Sequence, residues 1–272
     1  SLKEAVIGFI GAGNMASSII RGLTGAGKKP SSILVTDIDK EKLASLATET
    51  GIKSASTKEI CAFADVLVLA VKPQTMKAVC LEIANIGATQ LMISIAAGIK
   101  ATQLERWFDN ETAIVRCMPN TPAVIGEGAT GLFANQLVTK TQKHLAQSIM
   151  EAVGLTVWLN NEKDIDTVTA LSGSGPAYFF LLMEAMQDVA QELGLEREVA
   201  ESLVSQTAVG ASQLARKTKE STDVLRKKVT SPGGTTERAV SEFEGGNLRG
   251  LVRNALIAAK DRSIELSEDL SN

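Results

Sequence analysis

Glycines, prolines and hydroxyl residues carry the chemical signal in this chain, not histidines or paired acids. Gly11-Ala12-Gly13-Asn14-Met15-Ala16 has the spacing G-x-G-x-x-G/A. It follows an apolar run, Ala5–Ile10, and opens a helical pattern through Met15, Ala16, Ile19, Ile20 and Leu23. In that context the spacing points to a bound dinucleotide. The first glycine makes the tight turn, the second lets backbone approach a pyrophosphate, and the small Ala16 allows helix and strand to pack closely. The helix N-terminus adds amide donors and a favourable dipole. A glycine turn in an unrelated α/β protein is the competing reading.

Asp37 ends the second apolar run, where an acid accepts a hydrogen bond from a ribose 2′-hydroxyl. Asp37 and Asp39 would repel a 2′-phosphate, and Lys40 and Lys42 would offset that repulsion. The expected cofactor is therefore NADH or NADPH, with a lean to NADH. Ala70-Val71-Lys72-Pro73 and Ile95-Ala96-Ala97-Gly98 also follow apolar runs, and ligands in such sheets sit beyond the carboxyl ends of the strands. Small Ala96-Ala97-Gly98 would let a nicotinamide lie close to backbone. Either segment taken alone also reads as a plain strand-to-helix turn.

A second chemical signal lies far along the chain. Thr230-Ser231-Pro232-Gly233-Gly234-Thr235-Thr236-Glu237-Arg238 joins two helical patterns. Amides at a helix start together with Ser and Thr hydroxyls can hold a carboxylate. A capped interhelical turn is the alternative. Reduction of a ketone needs a proton donor, commonly His or Lys. The single histidine, His144, lies in a polar helical stretch and reads as a solvated face. An imine can take its proton from solvent before hydride arrives, so its site need only bind, orient and exclude water. A carboxylate-gripping loop with no evident base thus favours imine reduction, although Lys72 remains open as a base.

The elements that would position these residues follow from periodicity. Ile33–Asp37, Val66–Val71, Leu91–Ile95 and Ala113–Met118 read as further strands, and Lys40–Thr50 as a helix. Strands separated by helices imply a Rossmann-type, doubly wound parallel sheet. After Trp158 the pattern turns helical, with one stripe through Phe179, Leu182, Met183, Met186, Val189 and Leu193. The expected organisation is an α/β dinucleotide-binding domain over 1–160 and an all-α domain over 161–272. Five of the six prolines lie in short turn motifs, including Met118-Pro-Asn-Thr-Pro122 and Ser172-Gly-Ser-Gly-Pro176. These read as loop punctuation or as parts of one assembled site.

Composition narrows the class. A net charge of -3 argues against general nucleic-acid binding. Cys61, Cys80 and Cys117 form no CxxC pair, so neither a disulfide framework nor a metal site is expected. Ser1-Leu2-Lys3-Glu4 lacks the make-up of a secretory signal, and no run reaches membrane-spanning length. A soluble cytoplasmic protein is expected.

Taken together, the motifs make the chain resemble the pyrroline-5-carboxylate reductase family over nearly its whole length. The resemblance rests on Gly8–Ala16, Ala70–Pro73, Ala96–Gly98, Met118–Pro122, Leu171–Tyr178 and Val229–Thr236. It implies NADH- or NADPH-dependent reduction of (S)-1-pyrroline-5-carboxylate to L-proline, the last step of proline biosynthesis. It implies cofactor contacts from Ile10, Gly11, Ala12, Gly13, Asn14, Met15, Thr57, Ala70, Val71, Lys72, Pro73, Ile95, Ala96 and Ala97. It implies that Ser231, Gly233, Gly234, Thr235 and Thr236 hold the substrate carboxylate and ring nitrogen, with Thr236 as the hydroxyl nearest that nitrogen. Interlocked homodimers through the helical domain are implied too, sometimes built into larger rings, each active site taking its Ser231–Thr236 loop from the partner chain.

Two positions depart from the family's habit. Lys227-Lys228 precede Val229 where a polar or acidic residue and Asn, Gln or Asp are common, and Asp37 replaces a small, hydroxyl or Asn residue. Two other functions compete. A β-hydroxyacid dehydrogenase would need a helix-borne lysine base, and a non-catalytic dinucleotide-responsive binding protein would have no reason to keep the Ser231–Thr236 loop intact.

Overall fold

Strand β1 (Ile7–Ile10) is buried along its whole length, which places it in the middle of a sheet covered on both faces. The structure is a computed structural model, and it describes residues 1–109 and 111–271. The chain leaves β1 through helix α1 (Asn14–Gly25) to β2 (Ile33–Thr36), then through α2 (Lys40–Thr50) to the short β3 (Lys53–Ser54). It returns through α3 (Thr57–Phe63) to the other side of β1 as β4 (Val66–Leu69). Next come α4 (Pro73–Ile86), β5 (Leu91–Ser94), α5 (Ala101–Phe108) and β6 (Ile114–Met118). The sheet order is β3-β2-β1-β4-β5-β6, all parallel, so the winding direction reverses between β1 and β4.

The apolar runs become these strands because Val, Ile and Leu fill both faces. Ile7, Phe9, Val66, Val68 and Ile93 pack one cluster, and Leu67, Leu69, Met92 and Ile114 pack the other. Ala16 is 1 % exposed within the first cluster. α2 spans Lys40–Thr50, as its periodicity predicts, with the Asp39 carboxylate capping Lys42 N–H.

Three strands were not legible in the sequence: β3, only two residues long and exposed, and two more beyond β6. β7 (Gly128–Ala134) pairs antiparallel with β6, and β8 (Gly154–Trp158) pairs parallel with β7 across helix α6 (Lys140–Glu151). Both begin at glycine, and Gly131 interrupts β7, so the segment reads as loop. The glycines are a packing requirement. A methyl on Gly154, at φ 147°, would strike the backbone of Gly128, and one on Gly131 would lie 2.9 Å from Val168 Cγ1. Helix α7 (Asp164–Val168) and a single π-helical turn, Thr169–Gly173, follow.

The chain divides into two compact units, Ser1–Ser174 with Ala259–Asn272, and Gly175–Ala258. Periodicity places a change of pattern near residue 160, but α7, the π turn and the last residues of the chain all belong to the sheet-containing unit. The second unit holds α8 (Gly175–Glu192), α9 (Arg197–Lys217), α10 (Thr222–Lys228), α11 (Thr235–Gly245) and the first half of α12 (Leu248–Asp269). Ala200 and Val204 are its buried apolar residues. Phe179, Phe180 and Leu181 are 63 %, 62 % and 66 % exposed. Three successive large apolar residues point in different directions around a helix, so α8 bares apolar surface on more than one side. Among the described residues no helix is long and apolar enough to cross a membrane.

His144 is exposed on α6. All three cysteines are buried and free. Burial pushes the Cys80 thiol up to about 12 and raises those of Cys61 and Cys117 as well. Because the thiolate is the reactive form, an aromatic disulfide reagent at neutral to mildly alkaline pH should modify no cysteine in the native protein and all 3 after unfolding.

Candidate active site

The parallel register brings three glycine- and alanine-rich turns side by side. Ile10, Leu69 and Ser94 stand level at the carboxyl ends of β1, β4 and β5. Gly11, Ala70 and Ile95 are therefore the next residues on three adjacent strands. Ala70 N–H donates to Ile10 O at 2.8 Å and Ile95 N–H to Leu69 O at 3.3 Å, extending the ladder by one step. This row spans the point where the winding reverses, the place where a parallel sheet opens a crevice.

Gly11 has φ 103°, and a Cβ there would sit 2.6 Å from Ala70 O. Only glycine makes the turn and tolerates the Ala70 carbonyl. Gly13 faces open space: nothing lies within 4 Å of a Cβ built on it. α1 begins at Asn14 with no side-chain cap and no acid in its first turn. Its leading N–H groups are thus directed toward an anion that the chain does not itself provide. These features fit a dinucleotide pyrophosphate.

Asp37 has work within the protein. Its Oδ2 accepts from Ala12 N–H at 2.6 Å and its Oδ1 from Asp39 N–H at 2.7 Å. The Ala12 amide is therefore already satisfied, and the carboxylate ties the end of β2 to the glycine turn. Each oxygen keeps a second lone pair, so acceptance from a ribose hydroxyl is compatible with both bonds. Thr57 is half-buried at the start of α3, whose cap is Ser56 Oγ accepting from Glu59 N–H. Lys72 is exposed at the N-terminus of α4, with Pro73 in the first turn. Ala96 is buried and Ala97 exposed.

Asn120 was not singled out in the sequence, and it joins two of the motifs. Pro176 has no N–H to give Ser172 O, four residues earlier, so that carbonyl would be orphaned. Asn120 Nδ2 donates to Ser172 O at 3.0 Å, while Asn120 Oδ1 accepts from Ala129 N–H at 2.8 Å. A proline four residues after a small polar residue was the available clue.

The Ser231–Gly234 turn belongs to the second unit. Gly233 has φ 74°, a left-handed conformation that suits glycine. Gly234 N–H donates to Ser231 O, and α11 then starts at Thr235 without a side-chain cap. Glu237 reaches back to accept from Gly233 N–H at 3.2 Å. Among the described residues, the hydroxyls of Ser231, Thr235 and Thr236 have no partner within the chain, unlike Thr230, which donates to Arg226 O. A capped turn would have spent those hydroxyls on the helix. Lys227 and Lys228 pair with Asp223 and Glu220 at 3.6 and 2.5 Å.

Residues 162–266 match the family model for pyrroline-5-carboxylate reductase dimerisation, and residues 6–98 match that for coenzyme F420-dependent NADP oxidoreductases. The chain is 50 % identical over 266 residues to a pyrroline-5-carboxylate reductase of Pseudomonas aeruginosa, covering 97 % of each chain. It is 40 % identical over 265 residues to one of Arabidopsis thaliana, covering 96 % of this chain and 95 % of the relative. A solved pyrroline-5-carboxylate reductase from Coxiella burnetii aligns with TM-score 0.93 and 48 % identity, covering 96 % of this chain and 98 % of that one. An NADP-bound pyrroline carboxylate reductase from Plasmodium falciparum aligns with TM-score 0.86 and 31 % identity, over 98 % of this chain and 100 % of that one.

Replacing Asp37 by Ala leaves the buried Ala12 N–H without its acceptor. A hydrogen bond to a charged group contributes roughly 1.5–3 kcal/mol. Chemical denaturation of Asp37→Ala should show a stability loss in that range with an unchanged denaturant slope.

Proposed function

The chain belongs to the pyrroline-5-carboxylate reductase family, and from that premise we propose which of its residues carry the reaction. The reaction is reduction of the C=N bond of (S)-1-pyrroline-5-carboxylate to L-proline, an NAD(P)H-dependent oxidoreductase step that completes proline biosynthesis. The observation that carries the assignment of residues is a pair of uncapped helix N-termini, each preceded by glycine: α1 after Gly13 and α11 after Gly234.

We assign the first to cofactor and the second to substrate. When bound, a reduced nicotinamide supplies the hydride. Gly13, Asn14 and Met15 receive the pyrophosphate, because their amides and the helix dipole favour an anion there, and Gly11, whose own N–H is spent on Thr36 O, lets the chain turn beneath it. Ile10, Ala12, Thr57 and Ala70–Pro73 complete the walls of the crevice. Ile95–Ala97 give a low shelf on which a flat ring can lie close to backbone. Ser231 and Thr235 grip the substrate carboxylate with free hydroxyls and the leading amides of α11, at a turn whose shape Gly233 and Gly234 provide. Glu237, already bonded to Gly233 N–H, leaves a negative charge beside that grip, so the hydroxyls matter more than net charge. Thr236 Oγ1 stands for the ring nitrogen, orienting an iminium that takes its proton from solvent. Burial of the reacting atoms away from water then favours hydride transfer over loss of the reductant.

This reading places cofactor binding in 1–160 and substrate binding with dimerisation in 161–272. The exposed Phe179–Leu181 surface of α8 supports an interlocked homodimer, open to assembly into a larger ring, in which Ser231–Thr236 of one protomer serves the crevice of its partner. Three reduced, buried thiols suit a cytoplasmic setting.

Three outcomes are expected. In steady-state assays with pyrroline carboxylate, Thr236→Ala should lower kcat/KM about ten- to a hundredfold, the loss of one hydroxyl contact to a charged group; unchanged activity removes Thr236 from its role. The Asp37 carboxylate should make kcat/KM higher with NADH than with NADPH, and Asp37→Ser should move that ratio toward NADPH. Co-folding Gly13→Glu with Thr236→Ala chains should restore about a quarter of wild-type activity, since half the dimers are mixed and each mixed dimer has one intact shared site.

A further inference from the structure

Beyond Ile95 the strand ladder of β5 runs out. Ala96 N–H finds only Ser94 Oγ, at 3.3 Å, and Gly98 sits at φ 79°. A turn so thinly bonded would open readily by itself. It is held instead by the end of the chain. Ser267 is the buried residue of α12, 5 % exposed, and its Oγ donates to Gly98 O at 3.0 Å. Leu270 packs against the cluster containing Ala96, Ile99 and Leu104, and a methyl on Gly98 would lie 2.9 Å from its Cδ1. Gln103, also buried, donates to Leu270 O at 3.2 Å and accepts from Lys100 N–H at 3.4 Å. One turn earlier on the helix, Ser263 Oγ donates to Asp166 Oδ1 at 2.7 Å.

We propose that Ser267 and Leu270 are positioning residues for the reaction: they fix the Gly98 carbonyl and so set the height and tilt of the Ile95–Ala97 shelf beneath the nicotinamide ring. The inference rests on the assignment of that shelf to the cofactor. Neither residue touches cofactor; each acts through Gly98. Reacting atoms tolerate little displacement, since a shift of about 1 Å can cost on the order of a hundredfold in rate. A carbonyl anchored from 169 residues away along the chain is a means of controlling such a displacement.

The test compares binding of NADH with binding of ADP-ribose, which lacks the nicotinamide, by calorimetry on the full-length protein. For Ser267→Ala the NADH Kd should weaken about three- to tenfold, because the shelf is then held in its binding position only part of the time, while the ADP-ribose Kd stays at its wild-type value. Leu270→Ala should do the same, and Ser267→Thr, which keeps the hydroxyl, should restore NADH binding. With pyrroline carboxylate and 4-deuterated NADH, Ser267→Ala should also show a larger isotope effect on kcat as hydride transfer becomes slower. Parallel weakening of both ligands, or no weakening of either, overturns the proposal. Turnover by the wild-type protein tests the reaction separately: were it to reduce no cyclic imine, the assignment of the reaction to this site would fail, and the paired binding constants would still decide the role of Ser267.

Discussion

The arrangement of the sheet-containing unit hangs on the contact between Gly11 and the Ala70 carbonyl. At φ 103° the chain turns out of β1 with no room for a side chain, and the strand beyond it, β4, lies on the opposite flank from β2. A larger residue at 11 would push the first turn off the second. That would separate the three strand ends, Ile10, Leu69 and Ser94, whose level register makes the crevice. The uncapped start of α1, the Ala70–Pro73 turn and the Ile95–Ala97 shelf are useful to a ligand only because that register holds them in one row.

Polar groups around the crevice are divided between holding the protein and meeting a ligand. Asp37 and Asn120 hold. Their oxygens and nitrogen pin the glycine turn, β7 and the carbonyl left open by Pro176. The amides leading α1 and the hydroxyls of Ser231, Thr235 and Thr236 are left without partners in the chain. These groups are exposed or half-buried, so water can serve them until a ligand does. The economy with which structural groups are paired makes the unpaired ones at the two glycine turns stand out as places for a pyrophosphate and a carboxylate. No histidine joins them, in keeping with chemistry that asks the protein for orientation more than for a proton.

Much of this was legible in one dimension. β1, β2, β4, β5 and β6 announce themselves because a strand buried on both faces needs an unbroken apolar run, and α2 because its caps and spacing are local. The glycine turn and the Ser231–Thr236 loop were legible for the same reason, since their backbone geometry and donors come from consecutive residues. β7 and β8 were not, because their glycines answer to each other and to Val168 across the fold and look like loop when read in order. The helical stripe in α8 gave a helix but not the partner for its apolar faces.

The sequence alone determined which residues turn, which donate and which must be apolar, because those properties belong to single residues and their near neighbours. Only the tertiary structure decided that Asp37 bonds Ala12, that Asn120 relieves Ser172, that the first unit runs to Ser174, and that Ser267 and Leu270 return to brace Gly98. The contacts among them join segments at least 25 residues apart. No local propensity encodes such a meeting; it arises when burying the apolar faces of the sheet fixes every distance at once.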